Sequence, residues 1–322
     1  MLTSFREKYG PPAILEVRDS PEPVPGPDEL LGKVHATTVS RTDCAQLEGR
    51  PYVLRFGIGW PRPRLTATGT DFAGEVVAAG PDVTRFALGD RVMGFFDLGL
   101  ASHAHYLTLR PRHPTVRVPD TVSFSEAAAS MEGAHYARNM LNKVPLEPGD
   151  NALVYGATGA IGSAAVALLH HAGAVVTAVC HERHHDLVLG LGADRVLDHE
   201  TPNWMGELDD ASFKYVFDAV GKLTRGAFLR VLRRDGYYLS SELGPWSQNI
   251  IFALAAPIMR GPKVRFPVPT GVLTSLEMVS GLLAEGAYTP LIDRRYRLED
   301  VREAFEYVGS GRKVGSVLLD LV

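Results

Sequence analysis

The segment Gly156-Ala157-Thr158-Gly159-Ala160-Ile161-Gly162 stands between an apolar run, Ala152 to Tyr155, and a second apolar run from Ala160 to His171 with helical composition. A further β-branched run, Val175 to Cys180, follows at once. Glycines spaced like this are common on their own. Inside a strand–turn–helix–strand unit they meet the context of a dinucleotide fingerprint, whose competing explanation is a structural tight turn. Glycine has no Cβ, so backbone can approach a pyrophosphate closely, and the N-terminus of the following helix presents free N–H groups and the positive end of its dipole. Gly156, Thr158, Gly159, Ala160, Ile161 and Gly162 are therefore candidate cofactor-binding residues.

The rest of the chain is organised around this unit. Helix Asp186 to Leu191, strands Arg195–Leu197, Tyr215–Asp218 and Gly236–Ser240, and a last strand within Lys263–Pro269 continue the alternation, which predicts a parallel sheet covered on both faces. Before it, short runs such as Leu31–Val39, Phe72–Ala79 and His105–Leu109 lie between turn residues and predict an all-β region. Ser123-Phe124-Ser125-Glu126 has the form of a capping box and opens a helix. After Thr270 come a helix at Ser275–Glu285, the segment Arg294–Leu298, a helix at Val301–Val308 and a strand at Gly315–Asp320. The predicted architecture is α/β: a Rossmann-type, doubly wound domain at 123–269 inserted into a β-rich catalytic domain made of 1–122 and 270–322.

Composition narrows the partners. With 322 residues the chain is long enough for two cores, and its formal charge of −4, with both signs intermixed, offers no basic face for nucleic acid. Its start, Met1 to Lys8, is charged where a secretion signal would be apolar, and the run Ile250 to Met259 is too short to span a bilayer, so a cytoplasmic protein acting on a small molecule is expected. Only Cys44 and Cys180 are present, which predicts free thiols and excludes a four-cysteine zinc site.

Cofactor choice is read at the end of the second strand, where an acidic residue would bind the ribose hydroxyls of NAD. The chain has Cys180-His181-Glu182-Arg183 there. No carboxylate ends the strand, and a guanidinium follows, so a 2′-phosphate is the better guest and NADPH is expected over NADH. Cys180, His181 and Arg183 join the candidate cofactor residues. Glu182 works against the phosphate if turned inward, and only suits the helix dipole if turned outward.

Gly69-Thr70-Asp71-Phe72-Ala73-Gly74-Glu75-Val76, Phe86-Ala87-Leu88-Gly89-Asp90-Arg91-Val92, the glycine turn, Gly192-Ala193-Asp194, Phe217-Asp218-Ala219-Val220-Gly221 and Gly311-Arg312-Lys313-Val314-Gly315 occur in that order. In this the sequence resembles the medium-chain dehydrogenase/reductase superfamily, and most closely its zinc-independent, quinone-oxidoreductase-like branch, which includes zeta-crystallin. The resemblance implies a GroES-like β-barrel catalytic domain, a homodimer joined through the last strand of the cofactor sheet, and Ala219, Val220 and Lys313 as further cofactor contacts. Pro267 and Pro269 in that last strand reduce the N–H groups available for pairing.

In the family's alcohol dehydrogenases a Cys, a His and a further Cys or Asp hold zinc. The matching positions here are Ser40, Thr70 and a site near Met131 or Glu132, so thiolate and imidazole are missing and chemistry without zinc is expected. Without a Lewis acid, quinones and α,β-unsaturated carbonyls are the easier hydride acceptors, because conjugation spreads the developing charge. The resemblance places Thr42 and Asp43 beside the nicotinamide, where Thr42 could relay a proton; a helix cap is the alternative. Glu132, His135 and Tyr136 fall on one helical face and read as an acid/base set or as an internal hydrogen-bond network. The sequence is also compatible with two other functions: an alcohol or aldehyde oxidoreductase of the same fold, and an NADPH-binding protein with little catalysis. The segment Pro245–Pro257, with Trp246, walls a substrate pocket or covers a subunit contact. His103 and His105 are expected on one face of a strand, and His181, His184 and His185 at a helix start beside a phosphate.

Overall fold

The glycine- and β-branched-rich first third does form sheet. A computed structural model describes residues 1–244, 247–258 and 260–321, so Pro245 and Trp246 of the expected apolar wall, and Met259, lie outside the described residues. Strands β1 (Leu2–Phe5) and β2 (Glu16–Asp19) make an antiparallel pair. Strand β3 (Leu30–Val39) leads through Ser40 into helix α1 (Arg41–Glu48), and the short helix α2 (Arg55–Ile58) follows. Strands β4 (Asp71–Ala79), β5 (Arg91–Phe95), β6 (Tyr106–Leu109) and β7 (Thr115–Arg117) complete this part. Helix α1 has clear punctuation: Ser40 and Asp43 form a reciprocal capping box at its start, and Gly49 ends it in the left-handed region at φ 61°. Helix α3 (Phe124–Leu141) opens on the predicted box, with Ser123 N and Oγ donating to Glu126 Oε2 at 2.9 and 2.6 Å.

The alternating middle of the chain gives β8 (Asn151–Tyr155), α4 (Ala160–His171), β9 (Val175–Cys180), α5 (His185–Gly190), β10 (Arg195–Asp198), β11 (Phe213–Asp218), α6 (Arg225–Phe228), β12 (Leu232–Ser240), α7 (Gln248–Ala255) and β13 (Lys263–Arg265). The sheet order is β10-β9-β8-β11-β12-β13, every pairing parallel. Successive strands run outward from β8 in one direction and then resume on its other side at β11. That reversal creates a crevice at the carboxyl ends of β8 and β11, where ligands of such sheets bind. The strands are buried, as their continuous apolar runs predict, and Leu153, Val179, Val216, Phe228 and Tyr238 belong to one core.

The chain returns with α8 (Val272–Ala284), β14 (Ile292–Arg297), α9 (Val301–Gly309) and β15 (Ser316–Asp320). The first sheet thereby reaches seven strands, ordered β14-β15-β3-β4-β5-β7 with β6 on β3. Helix α9 packs Val301, Ala304, Phe305 and Val308 into a core with Leu47 and Val317. A buried Leu or Phe of this kind contributes about 1.5–3 kcal/mol.

Two compact units result: Met1–Glu132 with Gly271–Val322, and Gly133–Thr270. The first is called here the outer unit and the second the inserted unit. The sequence boundary at 122/123 stood before α3; the units divide within that helix, which is continuous across the divide. Two local expectations need correction. His103 and His105 precede β6 instead of alternating along it, because His103 turns inward and is fully buried. The strand expected within Lys263–Pro269 ends at Arg265, before the prolines that cannot donate to a ladder. Both cysteines are free and buried. Among the described residues, no helix is long and apolar enough to cross a membrane.

Candidate functional site

In the inserted unit the glycine turn joins β8 to α4. Gly156 has φ 85°, and a Cβ there would lie 2.1 Å from Val220 Cγ2, so glycine is needed for both conformation and close approach. Gly162 is needed for packing, since its Cβ would meet Gly156 O at 2.1 Å. Gly133 on α3 serves the same purpose, with Ala160 O at 2.4 Å from a built Cβ. Gly159 differs. It is the N-cap of α4 at φ −70°, a Cβ would find only Gly156 O at 3.7 Å, and no side chain caps the first N–H groups. Among the described residues nothing explains this glycine, whereas an anion approaching the helix N-terminus does. The turn therefore has room for a dinucleotide diphosphate, and the backbone from Gly156 to Gly162 could hold one.

The opposite lip of the crevice is the loop after β11. Asp218 Oδ1 accepts from Val220 N at 2.9 Å and Gly221 N at 2.8 Å, and Tyr238 Oη donates to Asp218 Oδ2 at 2.7 Å. Burial pushes the Asp218 carboxyl upward, and Tyr238 and the two N–H groups oppose this. Asp218 is thus the post that sets Ala219 and Val220, a role the sequence signals only as an Asp two residues before a turn.

At the end of β9, Cys180 is buried, and His181 Nδ1 accepts from Arg183 N at 3.2 Å. His181 Nε2 stands 3.3 Å from Glu200 Oε2, and Arg183 Nε donates to His184 Nε2 at 3.0 Å. Arg183, His181 and His184 are thus gathered at one strand end. His135 and Tyr136 also belong to this unit. His135 is fully buried, its ring stacks edge-on against Tyr136 at 5.4 Å, and Asn139 Nδ2 lies 3.4 Å from its Nδ1. Burial, aided by Arg138, pushes its pKa down to about 4, so the imidazole is neutral at ordinary pH.

In the outer unit a second polar cluster is buried around the start of α1. Ser40 N and Oγ donate to Asp43 Oδ2 at 2.9 and 2.7 Å, and Asp43 N returns a bond to Ser40 Oγ at 3.1 Å. The capping alternative for Asp43 is therefore realised. Burial pushes the Asp43 pKa up to about 6, against the Ser40 bonds, Thr70 and the Arg6 guanidinium. Thr70 faces this carboxyl, although Asp43 Oδ1 and Thr70 Oγ1 form no hydrogen bond of full geometry.

Glu132 enters the same cluster. Burial raises its carboxyl above the usual range; the hydroxyls of Thr42 and Ser40 bond to it and, with Lys313, oppose the rise, while Asp43 adds to it. Lys313 donates to Gly315 O at 2.6 Å, and burial lowers its pKa against the pull of Glu132. The structure therefore brings Thr42, Asp43, Glu132 and Lys313 together in one unit, with His135 and Tyr136 in the other.

Sequence reasoning missed two members of this neighbourhood. Asp71 accepts from Thr38 N at 2.7 Å, from Thr37 Oγ1 at 3.0 Å and from Thr38 Oγ1, and burial raises it well above the carboxylate range, with Asp43 contributing. Its only signal was its place beside Thr70. Arg6 donates to Gln46 O, and burial lowers its pKa to about 10; nothing around it in sequence marks it. His103 braces Thr38, one of the donors to Asp71: its ring nitrogens lie 2.9 Å from Thr68 Oγ1 and 2.9 Å from Thr38 O, and burial lowers its pKa to about 4.

Residues 26–120 match the alcohol dehydrogenase GroES-like domain family, and residues 191–319 match the zinc-binding dehydrogenase family. The chain is 30% identical to a chloroplast envelope quinone oxidoreductase homolog of Arabidopsis thaliana, over 97% of this chain and 95% of the relative. It is 28% identical to a trans-enoyl reductase of Pyrenochaetopsis sp., over 91% and 88%. The solved quinone oxidoreductase of Coxiella burnetii superposes with a TM-score of 0.86 at 23% identity, covering 100% of this chain and 99% of that one. A mycobacterial protein complexed with NADPH superposes at 0.79 with 25% identity and full coverage of both chains.

The zinc in one family description can be tested on the donors present. At the matching positions stand two hydroxyls, Ser40 and Thr70, and, for the third, Met131 or the Glu132 carboxyl. Ser40 Oγ already serves Asp43. Alcohol oxygens are poor zinc ligands beside thiolate and imidazole, so this donor set does not fit a tetrahedral zinc site.

Proposed function

Because the chain belongs to the medium-chain dehydrogenase/reductase superfamily, in its quinone-oxidoreductase-like branch, and is an NAD(P)H-dependent oxidoreductase, we propose that it is an NADPH-dependent, metal-independent reductase of quinones or α,β-unsaturated carbonyl compounds. The observation that carries this is the buried Glu132 carboxyl, raised by burial and bonded by the Thr42 and Ser40 hydroxyls, beside positions where relatives with zinc chemistry place metal ligands.

The turn from Gly156 to Gly162 would hold the diphosphate, Ala219 and Val220 the opposite lip, and Arg183 with His181 the 2′-phosphate. When bound, NADPH supplies a hydride, which leaves the substrate one proton short. Glu132 carries that proton, and Thr42, bonded to it, passes the proton on while presenting its hydroxyl to the substrate oxygen. The carboxylate left behind keeps the Thr42 bond and gains from Lys313, which makes release of the proton affordable without a metal. Asp43 positions Ser40 and Thr42 by capping α1. A cytoplasmic homodimer is part of the same proposal: β13 is an edge strand, and pairing with its mate would satisfy its open backbone groups.

The test is NADPH oxidation against quinones, enones, aldehydes and ketones, with metal analysis on the same preparation. Turnover of the conjugated acceptors by metal-free protein is expected. Turnover confined to alcohols or aldehydes, with one bound zinc per chain, refutes the proposal. Glu132→Gln should reduce kcat by about 10²–10⁴. Because the acid works only while protonated, wild-type kcat should fall as pH rises through its raised pKa, and the variant should lose that limb.

A further inference from the structure

The outer unit contains a cavity of about 570 Å³ that shares no lining residue with the hydroxyl and carboxyl cluster. This volume lies within the range of small-ligand sites. Its depth is apolar, with Leu100, Ala104 and Leu107 almost wholly buried and Phe5, Ile58 and Phe96 around them. Its charged side chains are Arg64, Arg110 and Arg112, all exposed, and its lining includes neither Asp nor Glu. In a chain with a formal charge of −4 this is a local reversal of sign.

Arg110 is paired with Glu29 at 2.8 Å. Arg112 Nε reaches only His113 Nε2 at 3.4 Å, and Arg64 Nη1 reaches only Gly57 O at 3.4 Å, so among the described residues neither has a carboxylate partner. His113 lines the same cavity; burial, then Arg112 and Arg110, push its pKa down to about 4, and Glu29 opposes them. The loop over the cavity is strained as well: Ala101 is held at φ 60°, a conformation that costs a residue with a Cβ about 1–3 kcal/mol and that clusters at ligand sites.

We propose that this cavity binds an amphiphilic carboxylate, an alkyl chain in the apolar depth and its head group at the rim formed by Arg64 and Arg112. A guanidinium with no internal carboxylate partner is matched by a carboxylate, and the buried walls favour a chain over a compact polar anion. The occupant is thus fatty-acid-like, and it would bind whether or not NADPH is present.

Isothermal titration of the full chain with dodecanoate, dodecanol and dodecyltrimethylammonium tests this. One dodecanoate per chain is expected, with dodecanol and the cation weaker by about tenfold or more, the value of one charge-assisted bond. Dodecanoate affinity should fall with added salt, and should fall by about tenfold in Arg64→Gln and in Arg112→Gln. Both arginines are exposed, so the variants should melt as wild type does and bind NADPH unchanged. Absence of saturable dodecanoate binding, equal binding of dodecanol, or full affinity in both variants would overturn the proposal. Should either variant fail to fold, the comparison of the three wild-type ligands decides alone.

Discussion

Asp43→Asn would keep the cap of α1 and delete a buried charge. The Asn oxygen can take the place of Oδ2 and accept both Ser40 donors, and its amide would face Thr70 Oγ1, which among the described residues makes no hydrogen bond of full geometry. In the wild type the Asp43 pKa rises from 3.8 to about 6 on folding. At about 1.4 kcal/mol per tenfold change in ionisation, this makes the folded state about 3 kcal/mol less stable once the group is charged. The folded pKa lies above the unfolded one, so the contribution is fully present below pH 3.8 and is lost as pH rises through about 6. Arg6 loses a neighbouring charge in the variant, but with its pKa near 10 it stays protonated throughout this window and adds only a constant offset. The slope is therefore the readout. Urea unfolding at a series of pH values from 4 to 7 should show the variant gaining on the wild type by up to about 3 kcal/mol, then running parallel above that range. Asp71 and Glu132 lose the repulsion of Asp43 and push the difference the same way. Stability curves that stay parallel from pH 4 to 7 would show that Asp43 does not titrate near 6, and the account of this cluster would fail.

Two glycine replacements separate folding from binding. Gly156→Ala places a Cβ 2.1 Å from Val220 in a left-handed backbone and should lower thermal stability by about 1–3 kcal/mol together with NADPH affinity. Gly159→Ala meets nothing nearer than 3.7 Å, so it should melt normally and still bind NADPH more weakly, with calorimetry and fluorescence titration as the measurements. Unchanged affinity in Gly159→Ala would remove the case for a diphosphate at that helix end. Arg183→Ala should weaken NADPH by about tenfold and leave NADH unaffected, as the loss of one charge-assisted pair predicts; equal losses for both nucleotides would assign Arg183 a structural role.

The cofactor unit was legible along the chain because its determinants are local. Strand β9 and helix α4 occupy the residues that apolar patterning and the glycine turn marked, and the turn needs no distant partner to be recognised. The boxes Ser40/Asp43 and Ser123/Glu126 are likewise written within four residues. What only the tertiary structure decided is which side chains share one environment. Asp71, Arg6 and Glu132 come from distant parts of the sequence, and the perturbation of each carboxyl arises from burial and from neighbours that no spacing rule reveals. His103 shows the same limit: patterning put it on a strand face, whereas Thr68 and Thr38 together hold it inside. Hydrophobic periodicity and turn chemistry act over a few residues and survive in the linear text, but desolvation and charge coupling depend on the whole surrounding volume and exist only once the chain has closed around them.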